Sequence, residues 1–178
     1  MTHGKIAAGT LAIAVLAATG STVLADSDQN RRSLKAELKG FEEIPTLSTP
    51  ATGEFRAQIS RDGDSVEYEL SYENLEGSVT QAHIHLGARA FSGGIMVFLC
   101  SNLTDPAPPP GTQLCPAPSG TVRGTFSAAD VIGPEGQGIS PGEFEEAIRA
   151  LLSGATYANV HSSTRPAGEI RGQIRSHD

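Results

Sequence analysis

His83 and His85 stand two residues apart in Ala82-His83-Ile84-His85-Leu86, and a third histidine, His161, closes Ala158-Asn159-Val160-His161. On an extended strand alternate side chains share a face, so His83 and His85 point one way while Ala82, Ile84 and Leu86 point the other. The same rule groups Tyr157, Asn159 and His161 against Ala158 and Val160. Both segments have the form A-[HN]-[IV]-H, then a loop of six or seven residues, then G-x-I-x-x-x-[LI], the last being Gly93 to Leu99 in one and Gly168 to Ile174 in the other. His85 and His161 are therefore equivalent positions of two similar hairpins. With the hairpins as neighbours, three imidazoles converge on the polar side of a sheet. Three neutral imidazoles with an open position suit copper or zinc, and copper binds more tightly by the usual affinity order. The competing expectation is that the rings only brace loops through their nitrogens.

Other chemistry is weakly supported. Met96 alternates with Ile95 and Val97 and reads as core filling rather than an axial sulfur. Glu169 and Arg171 share a strand face and read as cross-sheet pairing residues. Ser162, Ser163 and Thr164 adjoin His161, but no nucleophile elbow and no orienting acid accompany them. No paired acid and base or phosphate-cradling glycine loop occurs, so no catalytic residue is assigned. A net charge of −7, from 13 Lys+Arg against 20 Asp+Glu, with no basic cluster beyond Arg31-Arg32, argues against nucleic acid as a partner.

The elements that must position the histidines are short. Residues 1–25 carry Lys5, an apolar run from Ile6 to Leu16 and the ending Val23-Leu24-Ala25, the pattern of a secretory signal peptide. Its removal implies a secreted or periplasmic protein, with no membrane span left and one unit more negative. Residues 26–33 form a flexible lead-in, 34–175 one β domain and 176–178 a tail carrying His177. Leu34-Ala36-Leu38, Phe55-Ala57-Ile59 and Val66-Tyr68-Leu70-Tyr72 are period-two runs, with a hairpin turn at Arg61-Asp62-Gly63-Asp64. Further strands are expected near 80–86, 95–100, 120–127, 156–161 and 169–175. In export Cys100 and Cys115 read as a disulfide clamping a proline-rich loop at 100–118, which holds six of the eleven prolines. One amphipathic helix is expected at about 141–152, with Ser140 as N-cap, Pro141 first, Gly154 as its stop, and an apolar stripe of Phe144, Ile148, Leu151 and Leu152. The fold class is thus all-β, a Greek-key-like sandwich or barrel of about 8 antiparallel strands with one short helix.

Four ordered segments carry a resemblance. Leu38-Lys39-Gly40-Phe41-Glu42-Glu43-Ile44-Pro45, Ala82 to Gly87, Tyr157 to His161 and Gly168 to Ile174 resemble the CHRD domain, the module repeated in chordin and common in exported bacterial proteins. The resemblance spans about Ser33 to Arg175 and implies a secreted all-β module whose family function is poorly defined. The strand Ala82 to His85 also resembles, locally, the His-x-His strand of copper,zinc superoxide dismutase. That likeness implies a copper-dependent redox activity only if further zinc ligands and a channel arginine exist, and none is assignable.

Overall fold

The computed structural model describes residues 1–2 and 32–176. The signal peptide expected at 1–25 falls, apart from Met1 and Thr2, outside the described residues, as do most of the lead-in and His177. Among the described residues nine strands form one antiparallel sheet: β1 (Ser33–Lys39), β2 (Thr52–Ile59), β3 (Val66–Glu73), β4 (Val79–Leu86), β5 (Ile95–Ser101), β6 (Gly120–Phe126), β7 (Thr156–Ser162), β8 (Ile170–Gln173) and the short β9 (Arg175–Ser176). Their spatial order is β5-β4-β7-β8-β1-β2-β3-β6, with β9 continuing β8 alongside β1, and the sheet curls into a nearly closed barrel. The Greek-key character comes from β7 and β8, late in the sequence, which insert between β4 and β1.

The period-two runs put their apolar residues inside. Leu34, Leu38, Phe55, Val66, Leu70, Val122 and Phe126 are buried, while the intervening Glu37, Arg56 and Glu67 are exposed. Met96 is fully buried in this core, as its alternation implied. Gly63 takes a left-handed φ of 76° in the β2–β3 turn, where glycine carries no Cβ penalty. Where β8 crosses β1, a Cβ on Gly172 would lie 2.2 Å from the Glu37 carbonyl oxygen, so the two backbones can approach only over glycine.

The proline-rich loop closes the barrel between β5 and β6. Cys100 and Cys115 are joined as a disulfide, their Cα atoms 5.0 Å apart. Ser101 N donates to the Gln113 carbonyl at 2.9 Å, and the Gln113 amide donates to the Arg123 carbonyl of β6 at 3.0 Å and to the Tyr68 hydroxyl. Tyr68 itself donates across the interior to Leu99 O at 2.9 Å. One residue of the loop thus bridges two strands that do not otherwise pair. Reducing the bridge should lower stability by about 3 kcal/mol through the freed unfolded chain. Urea midpoints of the protein with and without reductant measure this, and two reactive thiols in the unreduced, denatured protein would refute the pairing.

The helix, α1 (Phe144–Leu152), is shorter than its sequence suggested. Gly142 adopts a φ of 85°, which ends the turn begun at Ser140 before a helix can start at Pro141. The reciprocal contact survives, Ser140 N donating to the Glu143 carboxylate at 2.6 Å. At the other end Gly154 N bonds Leu151 O and Ala155 N bonds Ala150 O, a Schellman stop with Gly154 at φ 70°. Phe144, Ala147, Ala150 and Leu151 form the buried stripe, whereas Leu152 is 42% exposed and lies off it. Among the described residues no helix is long and apolar enough to cross a membrane.

Candidate metal centre

The two histidine strands are direct neighbours. β4 and β7 pair so that Ala82 faces Val160, Ile84 faces Ala158 and His83 faces Asn159. Exchanging the strands maps Ala82 onto Ala158, His83 onto Asn159, Ile84 onto Val160 and His85 onto His161, so a local two-fold axis runs through the His83–Asn159 pair. β5 flanks β4 on one side and β8 flanks β7 on the other, which extends the relation to both hairpins.

This symmetry gathers the three rings. Ligand nitrogens of His83, His85 and His161 all lie within 4.8 Å of one another. His83 Nδ1 is 3.2 Å from His161 Nε2, and the His83 and His161 ring centres are 5.0 Å apart. The strand alternation placed these rings on the polar side of the sheet. The structure instead buries them, with His83 at 0%, His161 at 6% and His85 at 8% exposure. The β4–β5 loop meets His85 through Gly93 O, and the loop after β7 meets His161 through Pro166 O, so loops lie against the rings on this side of the sheet. Arg171 donates to Ala88 O and Phe91 O and Gln173 to Gly87 O, which pin the β4–β5 loop, and Gln137 donates to Leu86 O at the end of β4. Below them Phe98 meets the His83 ring edge-on at 4.3 Å, and Tyr157 stacks on His85 at 4.7 Å with the Arg171 guanidinium 3.3 Å above the tyrosine ring.

Each outer histidine has one nitrogen tied down. His85 Nδ1 donates to Gly93 O at 2.9 Å, and His161 Nδ1 donates to Pro166 O at 3.0 Å. These are the loops that follow each strand, so the bracing expectation describes the Nδ1 atoms. It does not account for the others. The Nε2 atoms of His83 and His85 are buried without a hydrogen-bond partner. A backbone carbonyl that fixes Nδ1–H leaves the Nε2 lone pair available, the arrangement usual around metal-ligating histidines.

Electrostatics keep the rings neutral. Burial, with the neighbouring histidines adding to it, lowers the His83 pKa to about 2. Burial lowers His85 to about 4 and moves His161 downward as well. Neutral imidazole is the form that binds a metal.

Two polar residues of the site carry no signal of their own in the sequence. Asn159 Oδ1 is 3.1 Å from His161 Nε2. Glu43, from the loop after β1, is buried beside Arg171 and Asn159, and burial raises its pKa to about 7. The echo A-[HN]-[IV]-H marks Asn159 as the counterpart of His83, which was the one available clue. Among the described residues neither Glu169 nor Arg171 forms the cross-sheet ion pair expected of it. Glu169 is fully buried and accepts from Thr49, Glu76 N and the Ser162 hydroxyl, which fastens two loops to the start of β8.

A nearly closed antiparallel barrel with a buried three-histidine cluster on a two-fold hairpin pair defines an all-β module with a candidate metal centre. The family profile described as CHRD domain matches residues 34–174. The chain belongs to the CHRD-domain family. No curated protein and no solved structure gives a significant match.

Proposed function

We propose that this chain is an exported, non-catalytic CHRD-domain binding module that holds one copper or zinc ion through His83, His85 and His161. The observation that carries the reading is the convergence of three neutral rings in which two Nε2 atoms are buried without partners while the Nδ1 atoms of His85 and His161 are fixed by backbone carbonyls. A buried, unpaired polar nitrogen costs about 1–3 kcal/mol, a cost that a cation at their common point removes. The donor set is all imidazole nitrogen, which suits Zn(II) and Cu(II). Burial of all three rings favours a closed binding site over turnover of a diffusing substrate, so dismutase-like chemistry is the weaker alternative. A disulfide and an N-terminal segment of signal-peptide pattern support export.

The test is calorimetric titration of the chain lacking residues 1–25, without an affinity tag, with Zn(II) and Cu(II), alongside His85→Ala and His161→Ala. Wild type should bind one equivalent, and each variant should bind at least about tenfold more weakly, the lower end of what even outer-sphere changes cost. Equal binding by wild type and variants would leave the histidines as loop braces alone.

A further inference from the structure

Resting on the metal-binding reading above, we infer that Asn159 supplies a fourth donor, its side-chain carbonyl oxygen, and that Glu43 orients the amide for that role.

The argument begins with a mismatch of acceptors. His161 has its Nδ1 proton committed to Pro166 O, so a neutral ring presents only a lone pair at Nε2. That lone pair faces Asn159 Oδ1 at 3.1 Å, and oxygen is likewise an acceptor there. Two acceptors at this distance cannot bond each other. His83 Nδ1–H can donate to His161 Nε2 at 3.2 Å, but this leaves the amide oxygen unmatched. The separations have a simple reading as ligand-to-ligand edges. At metal–donor distances of about 2.0–2.1 Å, neighbouring donors of a tetrahedral ion stand roughly 3.3 Å apart. The His161 Nε2–Asn159 Oδ1 separation of 3.1 Å is close to that value.

The amide has a reason to keep its oxygen inward. Its nitrogen faces the Glu43 carboxyl, an interaction that favours the ionised acid. Gly168 packs against both groups. A Cβ there would lie 2.6 Å from Glu43 Oε1 and 3.0 Å from Asn159 Nδ2, and Gly168 has a φ of 129° that side chains rarely adopt. The carboxyl and the amide nitrogen therefore both lie against the bare glycine. Turning the amide over would set its oxygen against a carboxyl oxygen. The two-fold relation adds a reason for the residue type: Asn159 is the mate of His83, opposite it across the strand pair, so each occupies the axis and both can address one ion.

Co(II) absorption and zinc affinity of the chain lacking residues 1–25 test this in wild type, Asn159→Ala, Asn159→Asp and Glu43→Gln. A four-donor site gives intense visible Co(II) bands. Asn159→Ala should weaken zinc binding by about 10–100-fold and shift those bands, Asn159→Asp should restore both, and Glu43→Gln should weaken binding by a smaller factor. Urea midpoints of all four report folding, and the aspartate variant keeps the test valid where the alanine variant unfolds. Asn159→Ala and Asn159→Asp with wild-type affinity and an unchanged Co(II) spectrum, while His85→Ala abolishes binding, would overturn the inference and leave the three-histidine site intact. No binding by wild type would overturn the underlying reading as well.

Discussion

Metal-free protein should lose its fold steeply on acidification below pH 6.5, well before its carboxylates are all protonated. The three site rings are buried neutral, with His83 lowered to about 2, His85 to about 4 and His161 moved the same way from an ordinary value of 6.5. Below 6.5 the unfolded chain takes up protons that the native rings refuse, so the unfolded state binds more protons and stability falls as pH falls. The contribution is complete above 6.5 and is lost downward from there toward the folded values. Each ring contributes at most about 1.4 kcal/mol per pH unit, so three approach about 4 kcal/mol per unit, against a total stability of about 5–15 kcal/mol. Glu43 opposes them. Its folded pKa of about 7 lies above the ordinary 4.5, so the native state binds the extra proton between these values. Its contribution is present below 4.5 and is lost as pH rises through 7. One group against three offsets only part of the loss. Glu43→Gln should therefore steepen the acid limb and raise stability at about pH 8 by up to about 3 kcal/mol. Urea midpoints taken from about pH 8 down to about pH 4 decide the matter, since a flat profile between pH 7 and 5 would mean that the rings exchange protons freely in the native state. Bound zinc, which competes with the same protons, should move the acid midpoint downward.

Gly93→Ala should be among the most damaging single substitutions in the chain. A Cβ at this position would lie 1.6 Å from the Leu86 carbonyl oxygen and 2.6 Å from its carbon, so backbone must move to admit it. The movement has a specific victim. Gly93 O fixes His85 Nδ1, and Gly93 N donates to the Tyr157 hydroxyl at 3.2 Å, so the same residue positions the His85 ring and the aromatic stacked on it. The expected cost is about 3 kcal/mol or more in stability, the range of a core that must be forced apart, together with loss of high-affinity metal binding. Gly136→Ala is the control, because an added Cβ there meets nothing within 4 Å. Equal urea midpoints and zinc affinities for the two variants would contradict the close packing of the loop.

The strand architecture was readable because the sheet obeys a single rule along most of its length. Val66 to Tyr72 alternates so regularly that inside and outside follow from residue type alone, and β3 buries Val66, Tyr68, Leu70 and Tyr72. The histidine cluster was readable for another reason: the Ala-His-Ile-His and Ala-Asn-Val-His echo encodes a symmetry, and symmetry implies proximity. What the pattern could not carry was the burial of the site. β7 has all seven residues buried, so its polar face is not a solvent face, and the cover comes from loops with no periodicity. Arg171 and Gln173 reach main-chain carbonyls of the β4–β5 loop, contacts made by geometry rather than by charge pairing. Glu43 was invisible in the same way, since a carboxylate in Phe41-Glu42-Glu43 looks like any surface acid until its loop folds inward. The helix start was missed because Gly142 supplies a conformation that capping residues alone do not reveal.

The Gln113 bridge has a meaning beyond strength. A sheet of this kind has two terminal strands, and unpaired backbone donors and acceptors along them are a template on which another copy can add. Gln113 meets one backbone donor of β5, Ser101 N, and one backbone acceptor of β6, Arg123 O, and the prolines around it lack the N–H that would extend a ladder. The Cys100–Cys115 link keeps this plug seated. Cutting it should therefore loosen the cover over both terminal strands, and light scattering of the reduced protein reads whether copies then associate.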